Sequence, residues 1–195
     1  MKKNRLEAFS DGVLAIIITI MILEIKVPHG SEWAELKPLI PIFISYIFSF
    51  LYIGIYWGNH HHLLNSAKQV SPGILLSNLN LLFWLSLIPF ATGWMGENHF
   101  TANTVALYGI ILFISGLAFF ILQKTIERNA HDIEALKLAF KNLNKKGTAS
   151  SIGCLLAVLF AYISPIVSGI IFIIIAIVWL IPDKSIEKAI KEEEQ

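Results

Sequence analysis

Charge is scarce in this sequence, and the shortage is concentrated. Lys, Arg, Asp and Glu make up 15% of the chain, against about a quarter in soluble domains. Residues 38–67 contain none of the four, and neither do 69–96, 98–123 or 147–182. Helices of a water-soluble protein need a polar face, and these stretches have nothing to build one from, which excludes a water-soluble globular class. Cysteine is scarcer still. Cys154 stands alone within an apolar run, which rules out a disulfide framework within the chain. A formal net charge of +1 lacks the basic footprint of a nucleic-acid partner. No nucleophile motif and no pair of metal-binding histidines at i, i+4 is present to support an intramembrane enzyme.

What the sequence has is apolar length. Apolar residues are 55% of the total and mean hydropathy is +0.67. One helical crossing of a bilayer takes about 20 predominantly apolar residues. Proline, glycine and polar clusters divide the chain into six such spans, at about 6–26, 40–64, 72–95, 101–124, 149–164 and 166–182. The last two come from breaking one long apolar stretch at Ser164-Pro165. Each is then about 16 residues, short against the usual 17–25, and a five-span chain is the alternative. Lys2-Lys3-Arg5 ahead of an apolar run has the look of a signal peptide. Glu7 and Asp11 interrupt that run and no A-x-A site follows, so a retained first span is expected.

Charge asymmetry favours six spans. With six, Lys2, Lys3, Arg5, Lys68, Lys124, Arg128, Lys137, Lys141, Lys145, Lys146, Lys184, Lys188 and Lys191 share one side, and only Lys26 and Lys37 take the other. Thirteen of fifteen basic residues then lie on the cytoplasmic side, as the positive-inside rule requires; five spans would strand the last three lysines outside. The expected fold is an all-α polytopic membrane bundle of six transmembrane helices in one domain, 1–195, with both termini cytoplasmic. Within 125–148, Ile133, Leu136, Phe140 and Leu143 form an apolar stripe on a basic segment. It is expected to be a cytoplasmic amphipathic linker, lying on the membrane or packed beneath the bundle. The tail Lys-Glu-Glu-Glu-Gln reads as a solvated helix end.

Ionisable and polar groups inside spans are costly and point to function by default. Glu7 and Asp11 on span one, Trp57, His60, His61 and His62 on span two, and Ser77, Asn78 and Asn80 on span three fall at one depth. Asp11 needs partners there, and Arg5 with His60 or His61 are the available donors. Two readings of the layer stay open: a clasp fixing span one against spans two and three, or a proton relay or transition-metal site. Consecutive histidines point about 100° apart on a helix, so one subunit cannot aim all three at one ion. Span one carries a second pattern. Ile16, Thr19, Ile20 and Leu23 recur at i, i+3, i+4 and i+7, a single face roughly 140° from Asp11. Periodicity alone leaves lipid contact, packing and pore lining open for that stripe.

The segment Arg5-Leu6-Glu7-Ala8-Phe9-Ser10-Asp11, followed by a small and aliphatic run up to Thr19, closely resembles the signature of the transmembrane protein 175 family. That family comprises lysosomal potassium channels of animals and their prokaryotic relatives. Tyr56-Trp57-Gly58-Asn59-His60-His61 is similar to the family's second-helix motif, with His62 standing where an Arg commonly follows. The resemblance implies a potassium-selective or potassium-preferring cation channel in the plasma membrane of a prokaryote. It also implies a homotetramer whose first helices line a central pore, with permeant K+ in place of any cofactor. Carried over residue by residue, the hydrophobic constriction falls on Ile16, Ile20 and Leu23 and the threonine layer on Thr19. The inter-helix polar network falls on Arg5, Phe9, Ser10 and Asp11, with Trp57 and His61 as partners. No Thr-Val-Gly-Tyr-Gly filter is present, so selectivity must arise in another way. Phe9 and Gly12 lie within about 40° of the stripe and are expected in a cytoplasmic vestibule. The alternative is a proton-coupled secondary carrier with Asp11 and His60–His62 as its relay.

Overall fold

Prolines mark where helices begin. Pro41, Pro72, Pro89 and Pro165 each stand in the first turn of a helix, where the missing N–H costs no hydrogen bond. Ser71 adds a side-chain cap, accepting from the Ile74 amide at 3.3 Å, so its helix starts sharply. The computed structural model describes residues 2–67, 69–128 and 134–180. Its elements are α1 (Lys3–Leu23), a 3-10 turn (Trp33–Leu39), α2 (Ile40–Asn65), α3 (Pro72–Leu85), α4 (Ile88–Glu97), α5 (Ala102–Glu127), α6 (Glu134–Phe160) and α7 (Pro165–Leu180).

Among the described residues, four helical segments are long and apolar enough to cross a membrane: Lys3–Leu23, Trp33–Asn65, Pro72–Glu97 and Ala102–Glu127. The apolar helix α7 is shorter, at 16 residues, and pairs with the apolar C-terminal half of α6. The chain is an all-α membrane bundle.

Three boundaries differ from the expectation. Span three is broken: α3 ends at Leu85 and α4 begins at Ile88. Pro89 cannot donate to the Leu85 carbonyl, and the Ser86 hydroxyl caps the break by donating to Phe83 O at 2.7 Å. Span one ends at Leu23, three residues before Lys26. The third difference concerns 125–148, expected as a linker apart from span 149–164. From Glu134 it is the first half of one 27-residue helix, α6. The stripe Leu136, Phe140 and Leu143 is buried, and its register continues into buried Cys154, Ala157 and Ala161, so nothing interrupts the helix. Gln123 Nε2, near the end of α5, donates to Asn144 Oδ1 at 2.9 Å. The N-terminal half of α6 therefore packs against α5 and not along a membrane surface. Ile133, Lys68 and the C-terminal tail lie outside the described residues.

Helices α3, α5, α6 and α7 pack in succession, α2 packs on α4 and α7, and α1 lies against α2, α3 and α4. Hydrocarbon supplies no hydrophobic drive between helices, so close backbone approach and internal hydrogen bonds hold such bundles. Both are present. A side chain at Gly96 would start 2.8 Å from Ile42 Cα, and one at Gly109 would start 2.8 Å from Val158 Cγ2. Ser49 Oγ lies 2.6 Å from Thr92 Oγ1 and 3.1 Å from the Tyr108 hydroxyl. Thr92 also donates to Ile88 O at 2.7 Å, and Tyr52 donates to Phe172 O at 2.7 Å. These bonds join α2 to α4, α5 and α7 at mid-bundle.

Because Gly96 faces backbone, α2 and α4 must separate to admit a side chain. Gly96→Val is expected to cost about 1–3 kcal/mol and lower the melting temperature in detergent. Gly93→Ala, which meets nothing within 4 Å, should leave that temperature unchanged.

Candidate functional site

Helix α1 presents three sides with different chemistry. Its back, Leu6, Ser10, Leu14, Ile17 and Met21, recurs at 4, 4, 3 and 4 residues and is buried against the bundle. Its front carries the stripe. Ile16 is 59% exposed, Ile20 42% and Leu23 76%, and Thr19, Phe9 and Gly12 are exposed on the same side. Asp11 occupies the flank between them.

The back is fixed by a directed hydrogen-bond chain. Ser10 Oγ donates to Leu6 O at 2.9 Å, so its oxygen is left to accept. Asn78 Nδ2 on α3 donates to it at 3.0 Å. Asn78 Oδ1 then faces His60 Nε2 on α2 at 2.6 Å. Because the amide nitrogen is committed to Ser10, the histidine nitrogen is the donor, which assigns the tautomer protonated at Nε2. Ser10 and Asn78 are fully buried and His60 nearly so. Glu7, one turn before Ser10, has Oε1 buried without a hydrogen-bond partner among the described residues. The N-terminal end of α1 is also tied directly to the C-terminal end of α2, where Lys3 Nζ donates to Asn65 O at 3.1 Å. A cation is favoured at that end of a helix.

Asp11 makes a separate contact. Its Oδ1 accepts from Trp57 Nε1 at 2.9 Å on the exposed surface of α1 and α2. Trp57 is thus the one expected partner it meets, and the other expected donors, Arg5, His60 and His61, are not bonded to it. A residue adjacent to Ser10 points about 100° away from it, so Asp11 cannot turn toward buried His60. His61 pairs within its own helix with Asn65 at 3.1 Å, and Arg5 and Phe9 are exposed. Within the single chain the sequence-predicted cluster therefore resolves into two contacts, Ser10–Asn78–His60 and Asp11–Trp57. Among the described residues no three His, Cys, Asp or Glu side chains converge as metal ligands.

Thr19 has a chemical property that the spacing did not show. Its Oγ1 donates to Ala15 O at 2.8 Å, so the hydroxyl proton is committed to the helix. The exposed oxygen can then only accept, as a cation ligand must. Sequence reasoning missed the mid-bundle knot Ser49–Thr92–Tyr108. Its signal was the small polar pair Ser45 and Ser49, one turn apart on α2 and facing the Gly96 side of α4.

Over 192 residues, 98% of this chain and 100% of the relative, the sequence is 52% identical to a Chryseobacterium protein named a potassium channel. Residues 5–89 match the family described as endosomal/lysosomal potassium channel TMEM175. The chain belongs to the TMEM175 family. The structure superposes on the crystal structure of a Chamaesiphon minutus protein described as a homolog of the lysosomal potassium-selective channel TMEM175. The TM-score is 0.80 at 26% identity, over 91% of this chain and 96% of that one. A chicken family member, named an endosomal/lysosomal proton channel, is 30% identical over 141 residues, covering 64% of this chain and 28% of its own. The family match runs from α1 to the start of α4 and so takes in the stripe and both contacts that position α1.

Interhelical hydrogen bonds in membranes average about 0.6 kcal/mol. Removing Asn78 does more, because it leaves Ser10 and His60 as buried groups without their partner. Asn78→Ala is expected to destabilise the protein by about 1–3 kcal/mol, read as detergent melting. Asp11→Ala, on the exposed flank, should cost measurably less; an equal or larger loss would place the main anchor of α1 on its flank.

Proposed function

We propose that this protein is the subunit of a potassium-preferring cation channel, with α1 lining a pore at the centre of a homotetramer in a prokaryotic plasma membrane. The observation that carries the reading is the front of α1. The helix is fixed from behind by a buried polar chain, while Ile16, Thr19, Ile20 and Leu23 are left exposed on one face. Four such faces around an axis give apolar rings that gate by dewetting. Beside them lies a ring of four Thr19 oxygens whose protons are already committed, a place for a partly dehydrated cation to pause. The full-length similarity to a protein named a potassium channel supports the choice of ion. Thirteen of fifteen basic residues on one side support an orientation with both termini in the cytoplasm.

A proton-coupled carrier needs its relay groups in contact. Here Asp11 is paired with Trp57 and His60 with Asn78, and no bond joins the two pairs, which favours the channel. The proton-channel name of the chicken relative makes proton conduction the second reading to measure.

Planar-bilayer recording of the reconstituted protein under a potassium gradient tests the proposal. Single-channel steps with a reversal potential near that of potassium are expected, and a reversal potential that follows pH instead would assign the current to protons. Ile20→Ala and Leu23→Ala should raise unitary conductance severalfold or move the reversal potential toward that of sodium. Unchanged currents in Ile16→Ala, Ile20→Ala and Leu23→Ala together would remove the stripe from the pore. Asp11→Ala should reduce the yield of assembled protein while leaving ion preference intact.

A further inference from the structure

We infer that the cavity enclosed by α2, α5, α6 and α7 is a binding site for a small uncharged aromatic carbonyl compound dissolved in the bilayer, whose carbonyl oxygen accepts a hydrogen bond from the Tyr56 hydroxyl. The inference is independent of the channel reading, since none of the stripe residues lines this space.

The cavity measures about 280 Å³. A cavity of about 150 Å³ holds benzene, so this one takes a ring with a short substituent. One wall is aromatic. Phe119 meets Tyr56 edge-on at 6.1 Å and Trp179 edge-on at 6.3 Å, and all three rings line the space. Leu112, Cys154 and Ile175 add apolar surface. Leu117 and Phe120 line the cavity while being 39% and 40% exposed, so a membrane-soluble molecule has an entry from the hydrocarbon. None of the described residues that line it is charged, and an ion would lose its hydration there with nothing to replace it.

The donors that face the cavity decide what an apolar occupant must carry. Gln123 donates to Asn144 Oδ1, Asn59 to Ile55 O at 2.8 Å, Tyr52 to Phe172 O, and Thr148 to Asn144 O at 2.9 Å. The Tyr56 hydroxyl, by contrast, makes no hydrogen bond among the described residues. It also faces open space. Gly116 on α5 has no side chain to cover it, and a Cβ there would meet only that hydroxyl, at 3.9 Å. The edge contact with Phe119 holds the ring that carries the hydroxyl, so the donor is in place before any ligand arrives. A water at that position would leave the aromatic wall against solvent. A carbonyl compound reproduces the hydrogen bond that water would make and covers the rings as well.

The test uses the full-length protein in detergent, with para-bromoacetophenone as the probe and para-bromo-α-methylstyrene as its shape-matched partner without a carbonyl. Bromine quenches tryptophan fluorescence on contact, and of the five tryptophans only Trp179 lines the cavity. With concentrations referred to the micelle phase, the ketone should quench a saturable fraction of the emission. Its affinity should exceed that of the styrene by about threefold to tenfold, the worth of one hydrogen bond. Tyr56→Phe should remove that difference and keep saturable quenching by both probes. Gly116→Val fills the space beside the hydroxyl and should abolish saturable quenching while melting as the parent protein does. Ketone quenching that rises without saturating in the parent protein, or that stays saturable in Gly116→Val, would overturn the site. A ketone preference that persists in Tyr56→Phe would overturn the role of the hydroxyl. Saturable quenching by para-bromobenzoate with the affinity of the ketone would overturn the uncharged class.

Discussion

An amide buried in hydrocarbon has no water to fall back on, and every donor and acceptor it carries must be matched inside the protein. Asn78 imposes that requirement on three helices at once. Its nitrogen is spent on Ser10 of α1 and its oxygen on His60 of α2, and the Ser10 hydroxyl is itself spent on Leu6 O. The direction of every bond in the chain follows. Rotating α1 by one residue would swing Ser10 about 100° away and leave the Asn78 amide nitrogen without its acceptor. The rotational setting of α1 is therefore decided by its polar back, and the side that its apolar stripe faces is a consequence.

One anchor would fix rotation and leave tilt free. A second contact lies eleven residues on, about 16 Å along the helix, where Met21 is buried against Thr92 of α4 with the sulfur 3.9 Å from the hydroxyl. Thr92 belongs to the knot with Ser49 and Tyr108, so the far half of α1 is packed against the most internally bonded part of the bundle. The exposed ion pair Lys26–Glu97, at 3.6 Å with side chains 84% and 51% exposed, contributes little beside this. An exposed helix held at two heights from one side can present the other side without that side stabilising the fold.

Much of this was legible in the sequence. The missing charge gave the membrane class, the prolines gave the starts of helices, and the period of Ile16, Thr19, Ile20 and Leu23 separated the front of α1 from Asp11. What stayed hidden has physical reasons. The spacing of Leu136, Phe140 and Leu143 is the same whether a stripe meets lipid headgroups or a neighbouring helix. Only Cys154, Ala157 and Ala161 continuing its register show that α6 is one helix. For the donor to Asp11, charge complementarity pointed to Arg5 or a histidine and the family resemblance to Trp57 and His61; of these it is Trp57 that makes the bond. The Ser49–Thr92–Tyr108 knot joins residues 43 and 59 positions apart, and hydroxyls in apolar runs do not reveal their partners at such separations.

The division of α1 into a polar back, an acidic flank and an apolar front also limits how it can treat ions. In the proposed pore, a carboxylate on the front would place a fixed charge in the path and favour divalent cations. The front instead carries no ionisable side chain from Phe9 to Leu23, and Asp11 is turned aside and bonded to an indole of its own chain. In the proposed homotetrameric pore, the barrier to a cation would then be set by how much hydration an apolar ring strips away and how much of it the Thr19 oxygens restore. Those oxygens are neutral, and a neutral ligand ring returns less energy to a small, strongly hydrated ion than stripping costs it. A face of this kind favours the more weakly hydrated monovalent cation, which is the preference expected of a potassium pathway built without a carbonyl filter.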